Sequence, residues 1–429
     1  MKFDTILIGG GLSSLVCGIK LQKAGRKCLM VSAGQNALHF STGTFGLLGK
    51  LPDGTPVTEP LKVLFSLPED HPYSKMGTDK VAEYAASVPA FFSECGIELH
   101  PVSNPGPDIS GEVGGVMIRN GYRMTPMGTM KPAWLAMKDV TLFKSKKDFP
   151  WKEVLIVNFA GFLDFNARFI AESLEKKGMK CRIERIRLKC VENIRKNPTE
   201  MRSVNIARLM NIEDNWKEFG HVVQSLVKGE DLVVLPEVFG LGGKEITDWL
   251  AEMIPATVLY IGTMPPSVPG IRAQMMLKNV FEAAGGTFLM GDTAIDPVIE
   301  DNKVKSIRTV NLGDIRLEAD NFVLASGNLF GKGLEAAPGK VSEPVFGLDV
   351  DYPSERKDWY DEDFFARQNF AGFGVVTDGD FKAMKDGRVI ENLFIAGSEL
   401  GGCNPLYEGS GAGIAILTAM CVADNISSH

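Results

Sequence analysis

Apolar and polar positions alternate with changing period along this chain, and the changes mark its elements. Phe3 to Ile8 is almost unbroken apolar sequence, the pattern of a strand covered on both faces. After the glycines Gly9, Gly10 and Gly11, residues Leu12, Leu15, Val16 and Ile19 recur at i, i+3, i+4 and i+7 with Lys20 and Lys23 turned away. That spacing predicts a helix that Gly25 can end, and Lys27 to Val31 then reads as a second strand. The middle repeats the alternation: strand over 152–158, helix over 165–177 ended by Gly178, strand over 181–188, then buried strands over 231–235 and 257–261. Further on, a helical pattern over 274–284 stops at Gly285 and Gly286, and a strand follows over 287–290. Extended runs over 294–299, 304–310 and 315–317 predict a β-meander, behind which Asp320 to Gly327 is a buried strand ending in a small-residue turn. The last segment is a strand closing in Ala396 and Gly397, then a Gly-rich stretch that opens a helix over 414–426.

Strand and helix in alternation imply an α/β fold with parallel sheets. At 429 residues the chain exceeds one ordinary core, so two domains are expected. We place one in residues 1–50, 262–330 and 386–429, and an inserted α/β cap, serving substrate or an interface, in 51–261 and 331–385. The net charge of -7 argues against a nucleic-acid partner, which calls for a basic surface. No stretch has the roughly 20 apolar residues that span a bilayer, and the first apolar run lacks the features of a signal peptide, so a cytoplasmic protein is expected. Seven scattered cysteines without a Cys-x-x-Cys pair and five histidines without ligand spacing predict no metal or iron–sulfur site. A redox cofactor in this chain would be organic.

The first glycines carry the chemistry. Gly9 permits a tight turn, Gly10 and Gly11 let backbone amides approach a phosphate, and the amides and dipole of the new helix favour its charge. Ser14 stands where dinucleotide turns place a third glycine and still permits close packing. After the second strand such folds carry a carboxylate for the adenosine ribose; here Ser32 and Gly34 follow Val31, with no acid. Phosphate binding is therefore better supported than adenosine binding.

The order helix, Gly-Gly, strand, meander and the turn ending in Gly327 resembles the way flavoproteins with two dinucleotide folds complete their sheet. The strand into Gly397 resembles their C-terminal motif, with Ser398 at the place of the acid that holds the ribityl chain and Glu399 one residue late. Gly409, Ser410 and Gly411 would turn helix amides toward the flavin ring, where they can stabilise developing negative charge. More specifically, the segments at 37–44 with 51–54, 199–208, 265–272, 324–327 with 347–350, and 391–394 with Gly401 and Gly402 resemble the B subunits of anaerobic glycerol-3-phosphate dehydrogenases, in order and over nearly the whole chain. The resemblance implies a Rossmann-like flavin domain carrying FMN, with FAD possible. It also implies two partners, the FAD-containing A subunit of the complex and its membrane-associated iron–sulfur C subunit. Together these oxidise sn-glycerol 3-phosphate to dihydroxyacetone phosphate and pass electrons to quinone, so the chain would sit peripherally at the inner face of the membrane. Serines at 14 and 398 leave open a non-catalytic assembly subunit, and a stand-alone FAD oxidoreductase of the fumarate-reductase-like group is a third reading.

Within that frame His39, just past the second strand, is the candidate to take a hydroxyl proton or to hold the ring. Ser41, Thr42 and Gly43 offer hydroxyls and close backbone to a phosphate or ring. Arg272, after the prolines at 265, 266 and 269, is the preferred anchor for a substrate phosphate, ahead of Arg202 and Arg208. The aromatic and acidic run from Trp359 to Phe365 is either an interface with a partner or a local core.

Overall fold

The computed structural model describes residues 1–102, 112–113, 116–147, 149–241 and 245–428. In chain order its main elements are β1 (Lys2–Ile8), α1 (Leu12–Lys23), β2 (Cys28–Ser32), the hairpin β3 (Gly121–Met124) and β4 (Met130–Ala133), β5 (Glu153–Phe159), α2 (Ala167–Glu175), β6 (Lys180–Ile186), β7 (Leu232–Pro236) and β8 (Thr257–Ile261). Then come α3 (Val268–Ala283), β9 (Thr287–Met290), β10 (Ala294–Glu300), β11 (Lys303–Thr309), β12 (Leu317–Leu324), β13 (Lys382–Lys385), β14 (Arg388–Ile395) and α4 (Gly411–Ser427).

Two sheets organise these elements. The larger, of eight strands, runs β9-β2-β1-β12-β11-β10, and the far end of β12 also pairs with β14, which carries β13. Its central strands are parallel, and register places Ile8 beside both Val31 and Leu324, and Leu324 beside Ile395. The C-terminal ends of β1, β2, β12 and β14 therefore lie at one edge of the sheet. This is the edge at which open α/β sheets receive ligands. Ile6, Leu7, Phe322, Val323 and Leu393 are wholly buried, as expected for parallel strands covered on both faces. The smaller sheet, β6-β5-β7-β8, is also parallel, with the helix α2 crossing between β5 and β6.

The expected α/β architecture is the observed one, with two adjustments. The third meander run is not a separate strand but the start of β12, because residues after Ile315 enter the parallel pairing with β1 directly. The apolar cores also divide along other lines than the expected segments 51–261 and 331–385. Val57, Tyr73, Val81, Phe92 and Trp134, and later Phe346, Trp359 and Phe373, pack into the core of the large sheet. Only the stretch from about Phe143 to Val268, joined by Met124, builds a core of its own around the small sheet. In the aromatic and acidic run, Trp359 is buried against Tyr352 and Phe373, while Phe364 and Phe365 stand 83% and 90% exposed.

Candidate functional site

The turn after β1 is fixed by steric contact. Gly9 has φ +119°, and a Cβ there would lie 2.2 Å from the Ala325 carbonyl oxygen, on the neighbouring strand turn. A Cβ on Gly10 would lie 2.2 Å from Ser32 Oγ, so β2 closes the other side. Gly11 differs. Its backbone is extended, it is the N-cap of α1, no side chain caps the helix, and a Cβ there would meet nothing nearer than Asn36 at 3.9 Å. An uncapped helix start over open space is a place for an anion.

Residues from the other strand ends converge on it. Gly397, φ +79°, abuts Ser13 of α1 and Ala415 of α4, which brings Ser398 beside the first turn of α1 and toward Gly327. Glu399, one residue later, is fully buried and does not reach outward. Its carboxylate accepts from Ser326 N (2.7 Å), Ser326 Oγ (2.8 Å) and Gly327 N (3.2 Å), pinning the turn after β12. Burial, and then the charge of Glu343, pushes its pKa well up against these donors.

At the other end, the loop over 41–50 interlocks with the start of α4. Gly413 N–H donates to the Gly46 carbonyl, Gly49 N–H and Lys50 N–H donate to the Glu408 carbonyl, and a Cβ on Gly46 would strike the Gly409 carbonyl at 2.2 Å. Ser410 precedes the uncapped N-terminus of α4, and its hydroxyl turns inward to Glu408. Glu408 and His71 form a fully buried pair: His71 Nδ1 accepts from Tyr73 N–H, which leaves Nε2–H to donate to Glu408 at 3.3 Å. Burial raises the Glu408 pKa, but the hydrogen bonds from His71, Asn404 and Ser410 outweigh it and hold the carboxyl below its usual range.

The structure therefore gathers Gly9, Gly10, Gly11, Gly327, Gly397 and Ser398 at one edge, and Thr42, Gly43, Gly409 and Gly411 in the interlocked loops. Other expected contacts are redirected. Ser14 is wholly buried with its hydroxyl unpartnered, so it serves close packing of α1 as a glycine would. Ser32 Oγ is engaged with Gly34 at 3.3 Å, and Ser41 Oγ accepts from Gly43 N–H. Gly402 packs on the Asp70 carbonyl. His39 Nε2 is bound to Gln274 and its Nδ1 is buried without a partner, so the ring ties the loop to α3 rather than facing open space. Arg272 lies inside α3, not in the loop before it, and Asp139 neutralises its guanidinium at 2.5 Å. Arg202 is likewise paired with Asp164, and Arg208 stays on the surface.

Three features escaped sequence reading. Asn36 Nδ2 donates to the Gly10 carbonyl at 2.7 Å, locking the turn after β1 from outside, and an Asn in a polar loop gives no warning of this. Arg123 donates to Thr42 Oγ1 at 2.7 Å from a hairpin far along the chain. Glu237 is buried beside Asp139 and Arg272, with neither carboxylate oxygen bonded among the described residues, and burial pushes its pKa up to about 8.

A flavin fits what is present. The Gly11 cradle is one that any side chain would fill, the Ser398 hydroxyl borders it, and a second uncapped helix start lies at Gly411.

Comparison with known proteins agrees. The FAD binding domain family matches residues 4–414. The B subunit of anaerobic glycerol-3-phosphate dehydrogenase from Yersinia pseudotuberculosis is 36% identical over 433 aligned positions, covering 100% of this chain and 99% of its own. The corresponding protein of Pectobacterium atrosepticum is 37% identical over 430 positions, covering 99% of each chain. Among solved structures, a 3-ketosteroid delta1-dehydrogenase from Sterolibacterium denitrificans aligns over 100% of this chain and 99% of its own, at 10% identity and a TM-score of 0.44. On the full-length sequence identity, the chain belongs to the family of B subunits of anaerobic glycerol-3-phosphate dehydrogenases.

Proposed function

We propose that this chain is the flavin-carrying B subunit of a complex that oxidises sn-glycerol 3-phosphate to dihydroxyacetone phosphate. The observation that carries the reading is the meeting of the β1 turn, the β12 turn and the β14 turn at one sheet edge, in a chain whose family membership spans its whole length. The helix-start amides at Gly11 hold the phosphate of the cofactor, and Ser398 offers its hydroxyl to the ribityl chain. Glu399 acts through the backbone, fixing Ser326 and Gly327 where that chain passes. The amides opening α4 face the edge of the ring that gains charge, braced by the buried His71–Glu408 pair. When bound, the flavin supplies a two-electron acceptor. The A and C partners, the first with FAD and the second with iron–sulfur centres at the membrane, would carry the electrons on to quinone. Among the described residues no helix is long and apolar enough to cross a membrane, so attachment would run through those partners.

We assign the flavin as FMN. No carboxylate follows β2, the Ser32 hydroxyl is turned into the Gly34 backbone, and the Asn36 amide is committed to Gly10, so the polar side chains beyond the strand serve the loop and not a ribose. FAD is the second reading, favoured by the match to an FAD binding domain family. Acid extraction of the purified protein and chromatography of the supernatant decides: FMN supports the assignment, FAD replaces it, and no flavin after incubation with either overturns the function.

A further inference from the structure

The mechanism proposed above leaves one cationic group unused. Arg123 on β3 and Lys131 on β4 are direct cross-strand partners. Like charges opposite one another destabilise a hairpin unless something of opposite sign lies between them. Nothing in the described chain does: no carboxylate pairs with Arg123, Lys131 or the neighbouring Lys50, whereas the buried Arg272 is met by Asp139 and the part-buried Arg182 by Glu184 and Glu230. Arg123 is half-buried, and among the described residues its one side-chain bond is to Thr42 Oγ1. Burial alone lowers its pKa to about 10, which still leaves it charged at neutral pH. Surrounding protein, and then the charges of Arg123 and Lys50, hold the Lys131 ammonium below its usual range.

Position adds to charge. Thr42 lies in the loop that interlocks with the start of α4, so the guanidinium sits against the segment that passes the flavin ring in the proposed function. Lys50 closes the same loop, its ammonium 5.0 Å over the Tyr407 ring. A fork of guanidinium donors beside two ammonium groups matches a phosphate dianion.

Resting on the function proposed above, we propose that Arg123, with Lys131 and Lys50, is the anchor for the phosphate monoester of the three-carbon substrate, the role that sequence alone gave to Arg272. The anchor holds one end of the substrate so that its carbinol carbon faces the ring segment, and it discriminates glycerol 3-phosphate from glycerol by charge.

The test is calorimetric titration of the full chain with sn-glycerol 3-phosphate, with inorganic phosphate and with glycerol, for the wild type, Arg123→Gln, Lys131→Gln and, as a control of net charge, Arg168→Gln on the exposed face of α2. Charged hydrogen bonds of this kind predict about a 10- to 100-fold weaker glycerol 3-phosphate binding in Arg123→Gln and a smaller loss in Lys131→Gln, with flavin content and the control unchanged. In the reconstituted complex the same variants should raise KM more than they lower kcat. Equal affinity in wild type and both variants, or a wild type that binds no phosphate ester, overturns the assignment. Should Arg123→Gln misfold, Arg123→Lys and Lys131→Glu carry the same comparison. A chain that binds no flavin defeats the function proposed earlier while the phosphate titration still gives its own answer.

Discussion

Gly11→Asp separates the fold from the site. The backbone at Gly11 is extended, with φ -84° and ψ -173°, so any residue adopts it, and the nearest atom to a new Cβ is 3.9 Å away. Asp is a preferred N-cap. It should gain a few tenths of a kcal/mol over Gly as a cap and about 0.3–1 kcal/mol against the helix dipole. The apo protein should therefore be as stable as the wild type, or more so by up to about 1 kcal/mol. In the proposed function the same carboxylate occupies the cradle of the flavin phosphate. Two unit charges about 4 Å apart at an effective dielectric near 20 repel by about 4 kcal/mol, close to a thousandfold in affinity, before the lost amide contacts are added. Urea unfolding of the apo protein and fluorescence titration with FMN measure the two effects apart. Gly11→Ala, which adds bulk without charge, should fall between them. A variant that keeps its flavin affinity, or that loses affinity and stability together, refutes the idea that the start of α1 is a binding device rather than part of the framework.

Glu399→Ala orphans the half-buried Ser326 and Gly327 amides at about 1 kcal/mol each, so unfolding should shift by about 2 kcal/mol and bound flavin should be lost; a shift under about 0.5 kcal/mol would contradict its pinning role. Glu237 has a folded pKa raised to about 8 by burial, against an unfolded value near 4.5. Its contribution is complete below the unfolded pKa and is lost as pH rises toward 8, at about 1.4 kcal/mol per unit. Glu237→Gln should thus be no more stable than wild type at pH 5 but more stable by a few kcal/mol at pH 8.5, in denaturation curves recorded at both; parallel pH profiles would show that the carboxyl is not buried neutral. Gly270→Ala would place a Cβ 1.7 Å from the Leu38 carbonyl oxygen, so it should loosen the loop over 37–50 from α3 and appear as faster proteolysis there.

The sheet edge was legible because its signals are local. Apolar runs ending in Gly9, Gly327 and Gly397 each combine a parallel strand with a residue that must turn at positive φ, and both halves of that pattern are written in adjacent residues. Distant pairings are not. Arg272 looked free because nothing near it in sequence shows Asp139 across the fold, and Arg123 looked ordinary because its significance lies in Lys131 across the hairpin with no carboxylate paired to either among the described residues. Glu399 was visible as an acid near the right place, but only the close packing of Gly397 on Ser13 shows why it turns inward to the β12 turn. The extent of the second core was not legible for a related reason: the segments over 51–102 and 331–385 are apolar enough to join either core, and the elements they pack against in three dimensions decide.

The large sheet inserts β12 between β1 and β14, and β14 is followed by α4, whose start completes the pocket in the proposed function. A ribosome that has released β1 and β12 has made only part of the pocket, with one side of β12 still an unsatisfied edge. With the flavin placed as proposed, its loading would wait until translation has passed α4. Until then that edge is open to pairing with another strand.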